Sequence, residues 1–462
     1  LNKEVADESW QGRKVLVLGL GDTGLSAIRW LEKRGAEVRA ADTRAAPPAL
    51  GAVQSGHPRV QVALGAFRPA LLEGVEAVVA SPGLALRDPF LRQAVERGIE
   101  VVGDIELFAR ALRGSPARVI GVTGTNGKST VTALACEMAR AAGLRAQAVG
   151  NIGEPVLDAL DAPGAGDTQA WVVELSSYQL ETTSSLRCDA ATVLNLTQDH
   201  LDRYDSMADY AAAKRRIFMH CRSRVLNRDD AATMAMAPGA EETLTFGLGE
   251  PANRSEWGLD AAREHLRRGP VELLRVDEIG IPGLHNAANA LAAHALCSAI
   301  GLDSAAMARA IRGFRGLPHR VQLVAEAGGV RFYDDSKGTN VGASVAALEG
   351  FTTPVVLVAG GDGKGQDFAP LVPAVKAHAR AVVLIGRDAE VLASALAPSG
   401  VPLERAKSME EAVATAHALA KPGDAVLLSP ACASLDMFRN YAHRGEAFAA
   451  AARASTLSRG RS

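Results

Sequence analysis

Short aliphatic runs alternate with helical periods along most of the chain. Val15–Leu18 is one such run, followed by a glycine-rich turn and a helical pattern to about Arg34. Further strands are predicted at Val38–Ala41 and at Val75–Ala80, the latter ending in Ser81-Pro82-Gly83. Buried strands alternating with helices predict a parallel α/β sheet. After a break near Val102–Leu112 the pattern resumes, with strands at Arg118–Val122, Trp171–Leu175 and Ala191–Leu196. From about Arg224 to Ile281 the segments become shorter and more polar, which predicts an inserted antiparallel region. An Ala-rich helix is predicted from Asn286 to Ile300, and Phe314–Arg320 (FRGLPHR) reads as a linker. A third set of strands follows at Val355–Ala359, Ala381–Ile385 and Ala425–Leu428. The Ser- and Arg-rich stretch after Ala452 is predicted to fray.

The chain has 462 residues, room for about three domains of ~150 residues each. The formal net charge of −2 speaks against a nucleic-acid binder, which needs a basic face to displace counterions. The five cysteines, Cys136, Cys188, Cys221, Cys297 and Cys432, are dispersed and form no CxxC pair. That spacing predicts free thiols in a reducing compartment, with no disulfide framework or zinc site. No apolar run approaches the ~18 residues of a membrane span. Leu1–Trp10 is acidic and lacks the apolar segment of a signal peptide. A cytoplasmic protein, monomeric and with no nucleic-acid or membrane partner, is expected.

The most specific chemical signal is GVTGTNGKST, Gly121–Thr130, which follows a strand and opens a helix. Backbone amides of such a loop cradle phosphates, Lys128 reaches the terminal phosphates, and Ser129 supplies an oxygen for Mg²⁺. The strict P-loop pattern is not met, because Val122 stands six before Lys128; the glycines are Gly121, Gly124 and Gly127. Gly19-x-Gly21-x-x-Gly24, with Asp42 ending the next strand, matches a dinucleotide fingerprint. Asp22 puts a carboxylate where a pyrophosphate would lie, unless it only caps the helix, and glycines at these positions also serve close helix–strand packing. Glu174 ends a strand beside the P-loop and is placed to hold Mg²⁺, although a strand-end acid can equally be an ion-pair partner. NLTQDHLDRY, Asn195–Tyr204, is dense in groups that handle phosphate and metal; His200 alone could be a hydrogen-bonded loop histidine. Lys214, on an apparent helix, reads from spacing as a solvated lysine. DDSKGTN (Asp334–Asn340) and GGDGKGQDF (Gly360–Phe368) are glycine-containing strand-end stretches whose Lys337 and Lys364 suit an acidic substrate.

Taken together these strings resemble the Mur ligase family over nearly the whole chain. The resemblance rests on GTNGKST, GNIG at Gly150–Gly153, ELSSYQLE at Glu174–Glu181 and DHLDRY at Asp199–Tyr204. It continues in LHNAANALAA from Leu284, LPHR at Leu317–Arg320, DDSKGTN, and SPACASLDMFRNY at Ser429–Tyr441. Several of these are shared with folylpolyglutamate synthases. SSYQLE, GGDGKGQDF and SPACASLD together resemble the branch that adds D-glutamate to UDP-N-acetylmuramoyl-L-alanine in peptidoglycan precursor synthesis.

The resemblance implies an α/β protein of three domains. These are a Rossmann-like UDP-substrate domain at 1–106, a central P-loop ATPase-type domain at 107–316, and a Rossmann-like amino-acid-binding domain at 317–462. It implies that ATP activates a carboxylate as an acyl phosphate, which the amine of D-glutamate attacks. It implies ATP contacts at Gly124, Thr125, Asn126, Gly127, Lys128, Ser129, Thr130, Asn286, Asn289, Arg320 and Asp335. The UDP-substrate is implied to meet Thr23, Asp42, Thr43, Arg44, Ser81, Asn151 and Gln179. D-Glutamate is implied to meet Lys337, Thr339, Lys364, Ser434 and Leu435, with Tyr441 beside it. Two Mg²⁺ sites are implied, one at Ser129 and Glu174, the other at His200 and Lys214. An ammonium cannot ligate Mg²⁺; the family implies that CO₂ converts Lys214 to a carbamate. Lys128, Glu174, His200 and Lys214 are thus the implied catalytic set. A sister ligase for a diamino acid is disfavoured because its DNPR string is absent. A non-catalytic nucleotide-binding regulator would have no need of all four of those residues.

Overall fold

In the computed structural model the described residues are 10–200, 203–237, 242–281 and 283–459. Leu201 and Asp202 of the DHLDRY string, and the acidic segment before Trp10, lie outside them. Among the described residues the strands form three sheets.

The first sheet contains β1 (Lys14–Leu18), β2 (Glu37–Asp42), β3 (Gln61–Leu64), β4 (Ala77–Ala80) and β5 (Glu100–Val102). Their order is β3-β2-β1-β4-β5, all parallel. The chain steps outward from β1 to β3 and then returns to the other side of β1. That reversal opens a crevice at the C-terminal ends of β1 and β4, where α/β sheets bind ligands. Strands β3 and β5 escape the sequence pattern because they are short and only partly buried.

The second sheet has nine strands: β6 (Arg118–Thr123), β7 (Ala146–Gly150), β8 (Ala170–Glu174), β9 (Arg187–Val193), β10 (His220–Asn227), β11 (Glu242–Phe246), β12 (Glu256–Leu259), β13 (His265–Arg268) and β14 (Val271–Arg275). The order is β14-β13-β12-β11-β10-β9-β6-β8-β7. The expected antiparallel region is narrower than the sequence suggests. Strands β10, β11 and β12 run parallel and extend the main sheet, and antiparallel pairing begins at β12–β13. The polar, turn-rich sequence reflects β11 and β14, which bury few of their side chains.

The third sheet orders β15 (Gln322–Ala327), β16 (Val330–Asp334), β17 (Val355–Gly360), β18 (Ala379–Ile385), β19 (Leu403–Arg405) and β20 (Ala425–Leu428) as β15-β16-β20-β17-β18-β19. It is parallel apart from the β15–β16 hairpin. All of β17 is buried, and its side chains alternate between two cores. Val355, Leu357 and Ala359 pack with Leu371 and Leu392, whereas Val356 and Val358 pack with Phe332 and Phe448. A continuous apolar strand is what a sheet covered on both faces requires. The predicted fraying after Ala452 is also corrected: the last helix runs Tyr441–Arg459, and Phe448 and Ala452 anchor it in the core.

The chain divides into two compact bodies. The first holds the chain to Asn195, Ala208–Leu274 and Ala290–Ile311; the second holds Leu196–Met207, Arg275–Asn289 and Arg312 onward. Within the first body, salt bridges Arg29–Asp158 (2.7 Å) and Arg34–Asp161 (2.9 Å) tie the helix after β1 to the short helix after β7. Glu106 adds a buried link by accepting from the backbone amides of Ser184 (2.7 Å) and Ser185 (2.9 Å).

Candidate active site

In the first body the P-loop leaves β6 and enters the helix Lys128–Ala141. No side chain caps that helix, so its first amides face the loop's concavity, where an anion is favoured. Gly124, at φ +149°, lies so close to the chain after β9 that a Cβ would sit 2.9 Å from the Leu194 Cβ. Asn195 clamps the loop. Its carbonyl accepts from Thr125 N at 2.9 Å, its Oδ1 accepts from Asn126 N at 2.8 Å, and its Nδ2 donates to Asn126 O at 3.1 Å. Spacing did not single out Asn195, although it opens the polar string that drew notice.

Lys128 folds back over the loop, its Nζ donating to Gly124 O (2.9 Å) and Thr125 O (2.7 Å). Lys214 reaches the same Gly124 carbonyl at 2.8 Å. It is only 1% exposed, so the solvated reading taken from spacing is corrected. The helix Met207–Arg215 turns Lys214 inward, with its Nζ 4.6 Å from the centroid of the Tyr210 ring one turn earlier. The Tyr210 hydroxyl in turn meets Thr125 Oγ1 at 3.3 Å.

Glu174 ends β8, is 1% exposed, and accepts from Asn151 Nδ2 at 2.9 Å through Oε1. Its Oε2 is buried without a hydrogen-bond partner. Such an orphaned carboxylate oxygen carries a desolvation cost unless a cation arrives. Ser129, also fully buried, supplies a second hard oxygen at the helix start. This donor chemistry fits Mg²⁺, which keeps several of its ligands from water and phosphate. Among the described residues no group of three or more His, Cys, Asp and Glu is assembled to hold a metal.

At the first sheet, Asp42 takes Leu20 N on Oδ2 (2.7 Å) and is chelated by Arg44 through Nε (2.9 Å) and Nη2 (2.7 Å). The Arg44 hydrogen bonds hold its carboxyl well below the usual range. Ser81 Oγ donates to Gly19 O at 3.2 Å across the β1–β4 crevice, Thr43 is exposed, and Thr23 lies on the first turn of the helix after β1. Asp22 makes no cap; the N-cap is Gly21. A Cβ on Gly24 would fall 1.9 Å from Gly19 O, so this glycine serves close packing.

Gln179 is buried, and both ends of its amide are engaged. Its Oε1 accepts from Ser176 N (3.1 Å), and it hydrogen-bonds the Asp104 carboxylate, whose pKa burial pushes up from 3.8 to about 6. The folded state therefore binds a proton that the unfolded state lacks between those values. Stability from this group is greatest at low pH and is lost as pH rises through about 6. Asp104→Asn is expected to lose less melting temperature than wild type between about pH 4 and 6. Parallel melting curves across that window would refute the assignment.

In the second body, Asp199 is the hub. Its Oδ1 accepts from Lys364 Nζ at 2.7 Å and its Oδ2 from Asn340 Nδ2 at 3.2 Å. His200, at φ +58°, places Nε2 3.6 Å from the same carboxylate. Lys364 is thus already paired with an acid, which its sequence context did not reveal. Burial raises the pKa of Asp335 to about 7; Ser429 Oγ donates to it at 2.7 Å, and the Arg320 charge pulls the other way. Arg320 Nε is buried without a hydrogen-bond partner. Asn289 Nδ2 donates to Asn286 Oδ1 at 3.2 Å. Lys337 Nζ lies 5.3 Å from the Tyr441 ring centroid, Thr339 is half-buried, Ser434 is buried and Leu435 is largely exposed.

A strand–P-loop–helix unit with a strand-end carboxylate, preceded and followed along the chain by further α/β sheets, defines a multidomain nucleotide-dependent α/β protein. The families that match are the Mur ligase MurD-like N-terminal domain over residues 13–103, the Mur ligase middle domain over 122–297 and the Mur ligase glutamate ligase domain over 319–432. The chain belongs to the Mur ligase family. It is 56% identical over 438 residues to a Methylobacillus flagellatus protein named UDP-N-acetylmuramoylalanine--D-glutamate ligase, covering 94% of this chain and 96% of that one. A Thiobacillus denitrificans protein of the same name is 54% identical, with 95% of each chain covered. Among solved structures, the UDP-N-acetylmuramate-alanine ligase MurC of Thermotoga maritima shares the fold. Its TM-score is 0.60 at 18% identity, over 96% of this chain and 99% of that one.

Proposed function

We propose that this protein joins D-glutamate to UDP-N-acetylmuramoyl-L-alanine, consuming ATP, as a cytoplasmic step of peptidoglycan precursor synthesis. The observation that carries this reading is 50–56% identity, over nearly the full length, to relatives bearing that ligase name. In our division of labour, 1–106 holds the UDP-substrate, 107–316 holds ATP, and 317–462 presents the amino acid.

A carboxylate is a poor electrophile, so it must first be phosphorylated. The P-loop amides and Lys128 hold the ATP phosphates and take up charge as the terminal phosphoryl group transfers to the carboxylate oxygen. Ser129 and Glu174 would hold one Mg²⁺, and His200 with a carbamylated Lys214 a second. When bound, these ions neutralise phosphate charge. The D-glutamate amine then attacks the acyl carbon and phosphate leaves. Lys337, Thr339, Lys364, Ser434, Leu435 and Tyr441 surround D-glutamate, and the two lysines offset the charge of a dianionic amino acid beside phosphates. Asn286, Asn289, Arg320 and Asp335 complete the ATP contacts.

An amino-acid panel tests the reading. Purified protein with UDP-N-acetylmuramoyl-L-alanine, ATP and Mg²⁺ is expected to release phosphate with D-glutamate, and not with D-alanine or meso-diaminopimelate. Comparable turnover with either of the latter would sink it.

A further inference from the structure

Arg444 is 1% exposed, yet among the described residues no carboxylate pairs with it. Its guanidinium instead donates to four neutral oxygens on two separate loops. Nε reaches Ser336 Oγ (3.0 Å) and Nη2 reaches Ser336 O (2.9 Å), both on the DDSKGTN loop after β16. Nη2 also reaches Cys432 O (3.0 Å) and Nη1 reaches Ala433 O (3.2 Å), both on the loop after β20. Ser336 Oγ passes the connection on to Tyr441 O at 2.7 Å, at the start of the helix that carries Arg444. A third loop approaches as well: a Cβ on Gly361, just after β17, would lie 3.3 Å from Nη1. Asp362 N donates to Ala433 O at 3.0 Å, so that loop is tied to the second.

Burying a guanidinium without a paired carboxylate is expensive, and burial draws its pKa down to about 10 against the pull of the Asp436, Asp334 and Asp335 charges. A structural role in an apolar core would be met more cheaply by an aliphatic side chain. What the planar fork offers is fixed geometry, with several donors held at set angles. The oxygens it fixes lie one or two residues from Lys337, Ser434 and Leu435, and the same first turn carries Tyr441.

We infer that Arg444 is a positioning residue that sets the register of the amino-acid-binding loops, acting through Ser336 and the Cys432–Ala433 carbonyls without touching substrate. This rests on the assignment of those loops to D-glutamate. The test is steady-state kinetics of Arg444→Lys and Arg444→Met, each substrate varied in turn. Arg444→Lys keeps the charge but not the fork. It is expected to raise KM for D-glutamate by roughly tenfold or more, the equivalent of one charge-assisted hydrogen bond. KM for the UDP-substrate should stay within about twofold, because Asp42, Arg44 and Ser81 lie on the first sheet. Equal increases in KM for D-glutamate and for the UDP-substrate would show a merely structural role and overturn the inference. So would an unchanged KM for D-glutamate in Arg444→Lys. Calorimetric binding of the UDP-substrate reports whether each variant is folded. If wild type itself does not use D-glutamate in the panel, the functional reading has failed, which is a separate outcome.

Discussion

Lys128→Ala is expected to lower kcat by about 10²–10³-fold while leaving the affinity for the UDP-substrate unchanged. Lys128 Nζ sits over the P-loop within hydrogen-bond reach of Gly124 O and Thr125 O, where the terminal phosphates of ATP would replace those carbonyls as its partners. Removing one preorganised donor to developing charge typically costs about 2.7–4 kcal/mol in the transition state. The candidate UDP contacts, Asp42, Arg44 and Ser81, lie on the first sheet, at the ends of β2 and β4, and none bonds to the P-loop. Phosphate release measures the first effect and a calorimetric titration the second. An equal loss of UDP-substrate affinity would contradict two separate nucleotide sites.

A second large effect is expected at Lys214. Two ammonium groups, those of Lys128 and Lys214, donate to one carbonyl, Gly124 O, at 2.9 and 2.8 Å. Two like charges sharing one acceptor repel each other. The proposed carbamylation would relieve this: a Lys214 amine attacking the carbon of CO₂ forms a C–N bond, a proton leaves to solvent, and the side chain would end in a carboxylate. The product is an anionic oxygen ligand that a hard divalent cation accepts and an ammonium cannot supply. Lys214→Ala should be nearly inactive, and millimolar acetate or propionate should restore part of the activity at saturating Mg²⁺. Lys214→Glu should retain more activity than Lys214→Arg. Near wild-type turnover in Lys214→Arg would refute the carbamate, as would mass spectrometry showing only a free amine in active enzyme.

The strands carrying the chemistry were legible because parallel strands buried on both faces write themselves as short aliphatic runs. Val355–Ala359 and Ala425–Leu428 are read from such runs, and the structure places them within β17 and β20. Partly buried strands were not legible. Among those from Glu242 to Arg275, β11 and β14 bury only part of their surface, so their polar positions resemble loops. The P-loop was plain for a similar local reason, since glycine, lysine and serine at fixed spacing describe a turn and a helix start within ten residues.

Periodicity and spacing thus settled the α/β class, the positions of the central buried strands and the phosphate loop, because those depend on near neighbours in sequence. Tertiary structure decided the rest. Lys214 could not be told from a surface lysine until its helix was seen to face Gly124, ninety residues earlier. Lys364 looked like spare positive charge until Asp199, 165 residues away, met it at 2.7 Å. Arg444 gave no signal at all, because its partners lie on two loops that only the third sheet brings together. Electrostatic and hydrogen-bond energies depend on distance through space, and a one-dimensional pattern records only distance along the chain.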